Sequence, residues 1–508
     1  MISFALRSLG VFFVFYPTFA ISASTPRITI RVGMLMPVEI DDLTQLVGYT
    51  TSAAAVTLAV DRIKAEHLLD QVDWEFYWED DRCNDALSLG LALKLINEKH
   101  VDVFMAPPCS AAAATVGKLC EYFNIPIFGW ASTLYEVGEP GTYPTFTRTI
   151  VSSDDMGHAI AETMLYFGWK EYAFVYTNDN LRKECMYIKL GFEKTIITKG
   201  YDIDSNFEVV INGSPSDAIL DEILSNISTQ ARIVVLCMDR GEDERRFMLA
   251  AHSRGMDGDE YVYLIPDYDD QGSKEGKDKR WLDSVGDPDG KNEEAKYAYD
   301  KALVISIDQQ DDETEASTLR REIPIKMRKA PFNCFENCNA FDDQYGSSYS
   351  PYLFDAMYLY GLSLNKTLTD NPNDPNVTRD GILIQNNSNN LTFNGITGNV
   401  TIDDTGNRKP VLAVRGFDFK GVYTRLALID VWAKKGECVT LMLPSLNDIW
   451  GTVRPLSVPR CGYSGTECPK TFQKQKQSHT IMSAFAWIRE TLMSMTKKFN
   501  LSTKKETC

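Results

Sequence analysis

Two pairs of adjacent carboxylates, Asp80-Asp81 and Asp403-Asp404, are the residues of this chain whose type best suits acid–base chemistry. Adjacent side chains of an extended segment point to opposite faces, so we interpret each pair as part of a solvated turn. The five histidines are scattered along the chain. The sequence contains no GxSxG, HExxH or CxxC, and the loop at 272–277 lacks the spacing of a phosphate loop. We therefore expect no catalytic centre, no cofactor and no metal site.

Two cysteines suggest a different chemistry, the formation of a disulfide at the edge of a sheet. Residues 74–78 alternate apolar and polar side chains, residues 86–96 have apolar side chains at helical spacing, and residues 101–106 form an apolar run of strand length. This pattern predicts a βαβ unit with two neighbouring parallel strands. Cys83 and Cys109 lie just beyond the carboxyl ends of these strands, and we expect them to be bonded to each other.

The first residues indicate an oxidising compartment that permits disulfides. Residues 1–23 combine one early positive charge, an apolar run at 9–15 and small residues at 20–23, as in a cleaved signal peptide. The alternative is a buried N-terminal strand. Asn-x-Ser/Thr sequons, the acceptors of N-linked glycans, occur at Asn212, Asn226, Asn365, Asn376, Asn386, Asn390, Asn399 and Asn500. We expect a glycoprotein that is secreted or lies on the extracellular face of the plasma membrane.

Composition limits the possible partners and the size of the fold. The chain has 508 residues, of which 44% are hydrophobic, enough for two or three domain cores. Its net charge of -18 argues against nucleic acid as a partner, because phosphate binding requires clustered Lys and Arg.

The middle of the chain repeats the alternation of strands and helices, which predicts two doubly wound α/β lobes with parallel sheets. Cys185 and Cys237 flank the second set of elements, and we pair them. Cys334 and Cys338, the closest pair of cysteines in sequence, are also expected to be bonded. The charged, Gly- and Asp-rich stretch at 267–292 is interpreted as a solvated loop.

Several phrases of the sequence resemble one family. They are the Cys83 and Cys109 pair, Phe146-Thr-Arg-Thr followed by Gly168-Trp-Lys, and the run from Gly395 to Arg408. Over roughly residues 28 to 470 the chain resembles the receptor ligand-binding family of the type I periplasmic-binding-protein fold. It is most similar to the ectodomains of nematode receptor-type guanylate cyclases, and natriuretic peptide receptors are more distant relatives.

The resemblance implies a clamshell of two lobes joined by crossover strands. Lobe one would comprise residues 27–145 and 270–410, and lobe two residues 146–269 and 411–440. Residues 441–470 would form a membrane-proximal loop closed by a disulfide between Cys461 and Cys468. The implied function is to sense an extracellular peptide or small molecule, as a homodimer or as a heterodimer with related receptors, and to signal to a cyclase region.

The end of the chain leaves alternatives open. After the disulfide loop we find no apolar run long enough to span a membrane, and residues 471–508 form a basic tail with an amphipathic stripe. The tail could bind anionic lipid or a partner helix, or it has no selected role. The chain could therefore be a receptor ectodomain, another receptor of the family, or a free secreted protein that sequesters ligand or pairs with full-length receptors. Membrane association is expected only through a full-length relative or this tail.

Ligand-binding candidates lie beyond the carboxyl ends of the predicted strands and near the crossover, where open parallel sheets bind ligands. They are Glu39, Asp80, Ser110, Ala111, Ser132, Thr133, Tyr135, Arg148, Asn178, Asp179 and Asp239.

Two of these positions have simpler interpretations. Ser110 begins a helix where amino-acid-binding relatives hold a carboxylate, but it could equally be only the helix cap. Arg148 could simply pair with an acidic hinge residue. The resemblance to natriuretic peptide receptors also implies a chloride site here, but Pro108 has no N–H to donate, so we expect no chloride.

Overall fold

The computed structural model describes residues 27–468 except 39–40, 140, 179–182, 239–240, 269–279, 284–288, 309–312, 336–337, 339–344, 375, 435 and 452. The predicted signal peptide, the basic tail and Asn500 lie outside the described residues. Within the described residues no single helix has the length and composition of a membrane span. One pair of helices, Leu43–Ser52 and Ala55–Ala65, passes that test only when joined across a 43° bend.

The first sheet is formed by the N-terminal part of the chain. Its elements are β1 (Ile28–Leu35), α1 (Asp41–Val47), α2 (Tyr49–Ser52), α3 (Ala55–Ala65), β2 (Val72–Glu79), α4 (Asp85–Lys94), β3 (Val103–Met105), α5 (Ser110–Phe123), β4 (Ile127–Gly129) and β5 (Phe146–Arg148). The strands are parallel in the order β2-β1-β3-β4-β5. The prediction that β2 and β3 are neighbours is wrong, because β1 hydrogen-bonds to both of them.

The second sheet begins after the chain leaves β5. Its elements are α6 (Ser153–Phe167), β6 (Glu171–Thr177), α7 (Glu184–Lys199), β7 (Asp204–Ile211), α8 (Asp217–Gln230), β8 (Ile233–Cys237), α9 (Gly241–Ser253), β9 (Val262–Asp267), α10 (Asn292–Ala298) and β10 (Ala302–Ile307). Helices α6 and α7 meet at two glycines: a Cβ on Gly157 would lie 2.2 Å from the backbone nitrogen of Phe192, and one on Gly191 would lie 2.4 Å from the carbonyl oxygen of Ser153. This close contact fixes the position of α7 beside the start of α6.

The chain then returns to the first lobe and crosses again. The returning elements are α11 (Glu313–Met327), α12 (Ser350–Asp370), α13 (Gly381–Ser388), β11 (Thr392–Gly395) and β12 (Gly398–Thr401), followed by β13 (Val411–Phe417), β14 (Tyr423–Asp430), β15 (Val439–Leu441) and α14 (Asn447–Trp450). Helix α12 is buried along most of its length and packs against α3, where a Cβ on Gly361 would lie 2.4 Å from Cδ1 of Ile63.

The second sheet is mixed rather than purely parallel. Its order is β15-β14-β13-β10-β9-β8-β6-β7, and β13, β14 and β15 join antiparallel. The predicted start of the returning segment at residue 270 is also wrong. Strand β10 is fully buried and pairs with β9 in parallel, so the chain returns to the first lobe only after Ile307.

All four predicted disulfides are present: Cys83–Cys109, Cys185–Cys237, Cys334–Cys338 and Cys461–Cys468. Cys120 and Cys438 are buried free thiols among the described residues. The first disulfide joins the loops after β2 and β3 across the end of β1, although these strands are not adjacent.

The predicted solvated loop at 267–292 is wrong for part of its length. Arg280 donates hydrogen bonds of 2.9 Å to both carboxylate oxygens of Glu244, and Trp281 is only 8% exposed. Arg245 makes an ion pair of 2.6 Å with Asp289. These pairs fasten the described parts of the stretch to α9, because a buried guanidinium requires such partners.

The acidic pairs are likewise more buried than we predicted. Asp81 is inaccessible to solvent and accepts a hydrogen bond of 2.8 Å from the Ser88 hydroxyl. The Oδ1 atom of Asp403 accepts hydrogen bonds of 2.8 Å from the backbone N–H groups of Thr405 and Asn407. Each pair thus has one carboxylate that holds a turn from inside the fold.

Candidate functional site

Three crossovers connect the lobes, and two of them are hydrogen-bonded to each other. The first follows β5, the second follows β10, and the third links β12 to β13. The backbone N–H of Arg148 donates to the carbonyl of Gly406 at 2.8 Å, and that of Ser153 donates to the carbonyl of Thr133 at 2.8 Å. The hinge is therefore a hydrogen-bonded ribbon at the base of the space between the lobes.

Arg148 is buried in this ribbon, with 2% of its surface exposed. Its guanidinium donates to the carbonyl oxygen of Leu134 and to Oδ1 of Asn407, each at 2.7 Å. Burial lowers the pKa of Arg148, and Asp155 is the largest of the nearby charges that oppose this shift. The side chain thus bonds carbonyl and amide oxygens rather than a carboxylate, and it positions the hinge.

A second buried arginine supports the hinge from the first lobe. Arg408 donates to the carbonyl of Thr149 at 3.0 Å and to the hydroxyl of Thr397 at 2.7 Å. The buried carboxylate of Asp355 accepts the backbone N–H groups of Ile396 and Thr397 at 2.7 and 3.0 Å. These contacts join α12, the β11–β12 hairpin and the first crossover into one unit.

Ser110 lies at the mouth of the cleft, and its hydroxyl contacts the loop after β4. Its Oγ accepts the backbone N–H groups of Thr133 and Leu134 at 3.0 and 3.2 Å. The N-cap of α5 is Cys109, whose side chain makes no capping bond. The helix-cap interpretation is therefore wrong, and the hydroxyl holds the loop after β4 against the start of α5. A ligand contact at this position remains a prediction.

A small cavity separates the lobes at this point. Pro108, Cys109, Ser110 and Ala131 line it from the first lobe, and Glu184 at the start of α7 lines it from the second. Its free volume of about 10 Å³ is comparable to one water molecule.

Some buried polar atoms of both lobes have no hydrogen-bond partner among the described residues, and three of them lie just beyond β4, at the start of α6 and just beyond β6. The Oγ atoms of Ser132 and Ser153 and Oδ1 of Asn178 are buried, and none of them hydrogen-bonds to another described residue. Buried polar atoms are nearly always satisfied, so such a group marks a place where a ligand or water supplies the bonds. Tyr268 closes the same region from the second lobe, and burial raises the pKa of its hydroxyl well above the ordinary value.

An ion bridge spans the lobes beside the hinge. Nζ of Lys194 on α7 lies 2.7 Å from Asp154 of its own lobe and 2.8 Å from Glu139 of the other lobe. The ammonium also lies 4.1 Å from the centre of the Tyr135 ring, a cation–π distance. Burial lowers the pKa of Lys194, but the hydrogen bonds that the ammonium donates to both carboxylates outweigh this effect and raise that pKa overall.

The structure gathers most, but not all, of the predicted site residues. Ser110, Ser132, Thr133, Tyr135 and Arg148 lie together on the first lobe, and Asn178 belongs to the second lobe. Asp80 is separate, since it accepts the backbone N–H of Val38 at 3.2 Å. Ala111 is half-buried in the first turn of α5 and contributes backbone only. Glu39, Asp179 and Asp239 lie outside the described residues.

Sequence reasoning missed three cleft residues of the second lobe. Glu184, Lys194 and Tyr268 face the first lobe, yet no local motif marks them. Within the described part of the chain, no group of three or more His, Cys, Asp or Glu side chains is arranged to hold a metal ion. The absence of a chloride remains a prediction.

The sequons lie at the surface wherever they are described. Asn212, Asn376, Asn386, Asn390 and Asn399 are exposed, and Asn226 and Asn365 are half-exposed. Each of the five exposed side chains is accessible to a glycan.

Comparison with known proteins finds one matching family and several similar proteins. The family described as "Receptor family ligand binding region" matches residues 51–418. The chain is 32% identical to the receptor-type guanylate cyclase gcy-14 of Caenorhabditis elegans, over 90% of this chain and 42% of that protein. It is 31% identical to gcy-20 with the same coverage, and 30% identical to gcy-13 over 84% of this chain and 42% of that protein, both receptor-type guanylate cyclases of the same organism. The chain thus spans about two fifths of the length of these relatives.

Proposed function

This chain belongs to the receptor family defined by that ligand-binding region, and on this premise we propose that it is the extracellular sensor region of a receptor-type guanylate cyclase. A peptide or small molecule binds between the lobes and changes their relative position. That change passes to a cyclase region, as the names of the relatives suggest. The exposed sequons and the four disulfides support an extracellular location.

The observation that carries the proposal is the set of buried polar atoms, at the strand ends and hinge of both lobes, that have no partner among the described residues. Ser132 belongs to the first lobe, whereas Ser153 and Asn178 belong to the second. A ligand that bonds groups from both lobes stabilises the arrangement in which they are close, which is how binding energy shifts such an equilibrium. The cavity leaves room for little more than one water molecule, so a larger ligand requires the lobes to separate before it enters.

We further propose that a second copy of this chain, or a related receptor, covers helix α4. Leu87, Leu89 and Leu93 are each 38–39% exposed on this helix, and the space beside Gly90 is open. Leucines at this density on an exposed helix face support a protein partner. A Leu89→Glu/Leu93→Glu variant should sediment as a monomer at concentrations where the unmodified chain dimerises.

The experiment that tests the sensor proposal locks the lobes together without requiring the ligand. We would graft this chain onto the remaining part of gcy-14 and replace Glu139 and Lys194, which face each other across the lobes, by cysteine. A short bifunctional thiol reagent would link the two positions, and production of cyclic GMP would be measured in membranes. We expect the cross-linked double variant to have a cyclase rate several-fold different from that of either single-cysteine control treated in the same way.

Equal cyclase rates in the linked and unlinked proteins, with the link verified by mass spectrometry, would reject lobe movement as the signal. Cys120 and Cys438 are buried, so they should react slowly and leave the controls interpretable.

A further inference from the structure

A groove on the outer side of the first lobe shares no residue with the cleft. It lies between the edge strand β2, helix α3 and the carboxyl end of α11, and its volume is about 330 Å³. This volume is in the range of small-ligand sites. Val60, Trp74 and Phe76 provide apolar and aromatic walls, and the two aromatic side chains are only half-buried.

The charged lining residues are mostly cationic. Lys64, Lys326 and Lys329 line the groove, and Asp61 is the only acidic residue among its lining side chains. Lys326 pairs with Asp61, whereas Lys64 and Lys329 are exposed and make no ion pair with a described residue, although Lys64 lies near enough to Asp73 to lower the pKa of that carboxyl. On a chain whose net charge is -18, three cations and one carboxylate around an aromatic wall form a local site for an anion.

The aromatic wall is held in place from the inside of the lobe. The Trp74 ring packs edge-on against Tyr360, with 6.2 Å between ring centres. Nε1 of Trp74 is inaccessible to solvent, so the part of the ring that the groove exposes is hydrocarbon.

We infer that the groove binds a small amphipathic anion, meaning a carboxylate, sulfate or sulfonate attached to an apolar or aromatic body. The body packs on Val60, Trp74 and Phe76, and the anionic group lies between Lys64 and Lys329. This site would give the first lobe a second ligand, separate from the one held in the cleft.

Calorimetric titration of the glycosylated chain with octanoate, and separately with naphthalene sulfonate, tests the inference at neutral pH. The rim variant is Lys64→Gln/Lys329→Gln, in which both changes are exposed and should leave folding intact. The matched control is Lys296→Gln/Lys434→Gln, which removes two exposed lysines elsewhere. Octanol serves as the neutral ligand, and Trp74→Phe removes the N–H but keeps an aromatic ring.

We expect saturable binding of both anions, about tenfold weaker in the rim variant and unchanged in the control, since hydrogen bonds between charged groups are the strong ones. Trp74→Phe keeps an aromatic wall and should leave octanoate binding nearly unchanged, because the lost N–H is inaccessible to the ligand. Octanol should bind equally well to the rim variant and to the unmodified chain. Lack of saturable binding of both anions would overturn the inference. So would equal affinities of the rim variant and the control, or octanol binding as tightly as octanoate, since either result leaves no anion site.

Discussion

Arg148 and Asn407 are 259 residues apart in the chain, yet Nη2 of the arginine lies 2.7 Å from Oδ1 of the amide. The contact ties the first crossover to the third. The Asn407 amide nitrogen in turn donates to the carbonyl of Gly138 at 2.9 Å, on the loop that carries Tyr135. The hinge and the cleft loop are thus one hydrogen-bonded structure, and a change at the hinge should reach the cleft.

Replacing Arg148 by methionine should destabilise the chain by about 2–4 kcal/mol, because the buried oxygens of Leu134 and Asn407 lose their donors. The midpoint of urea unfolding measures this loss. Arg27→Met is the control, since Arg27 makes only exposed contacts, an ion pair with Asp73 and a hydrogen bond of 3.2 Å to the carbonyl oxygen of Asp70, and their loss should change the midpoint little. Equal midpoints of the two variants would show that Arg148 does not hold the hinge.

Gly406 is a hinge position at which a side chain should be poorly tolerated. Its φ is +89°, and a Cβ would lie 2.5 Å from Nε2 of Gln385 and 2.9 Å from the carbonyl oxygen of Phe146. Gly398 has nearly the same φ, +87°, but open space around it. Both alanine variants should lose about 1 kcal/mol of stability from left-handed backbone strain. Only Gly406→Ala should lose about 2 kcal/mol more, from the steric overlap.

Thermal unfolding of the two glycine variants at the same pH decides between these causes. Equal losses of stability would mean that the backbone conformation matters and the packing of the third crossover does not.

The order of strands and helices along the chain could be predicted from the sequence, but the pairing of strands within each sheet could not. Apolar periodicity located the strands and helices around Cys83 and Cys109, and the disulfide between those residues was correct. The position of β1 between β2 and β3 depends on pairing between distant segments, which local periodicity does not encode. The same holds for β10, whose five apolar residues and one serine fit either sheet until β9 provides its partner.

The candidate site was predictable only where a strand ends before a helix. That rule located Ser110, Ser132 and Thr133. Lys194 has no such position, since it lies within the third quarter of α7 and meets Glu139 across 55 residues of chain. The position of a lysine within a helix does not predict which carboxylate it will pair with. The ion pair between Lys194 and Glu139 could therefore be identified only from the structure of both lobes.

Asp81 should make the stability of the chain depend on pH in the acid range. Burial raises the pKa of its carboxyl from 3.8 to about 6, although the Ser88 hydroxyl bonds the charged form. The folded state therefore favours the protonated acid, and this stabilisation is fully present below pH 3.8 and lost as the pH rises through 6. From pH 4 to 7 the loss amounts to about 3 kcal/mol.

An Asp81→Asn variant isolates this effect, because asparagine does not titrate and still accepts a hydrogen bond from Ser88. The difference in unfolding free energy between variant and unmodified chain should shift in favour of the variant as the pH rises from 4 to 7. A difference that stays constant over this range would mean that Asp81 titrates normally in the folded chain.

The bridge from Lys194 to Glu139 should control how closely the lobes approach, with little effect on the stability of either lobe. Glu139→Gln removes the contact between lobes but leaves the pair of Lys194 with Asp154, which lies within the second lobe. Since both partners of the lost pair are partly exposed, we expect a small change in the unfolding midpoint. The loop at 131–139 should instead exchange its amide hydrogens faster, because it loses the contact that holds it to α7.

Lys366→Met is the control, as Lys366 pairs with Asp370 on the same helix and contacts no residue of the second lobe among its described partners. Faster exchange at 131–139 in Glu139→Gln but not in Lys366→Met would identify the bridge as the element that holds the lobes closed. Unchanged exchange in both variants would assign that role to the backbone bond between Ser153 and Thr133 alone.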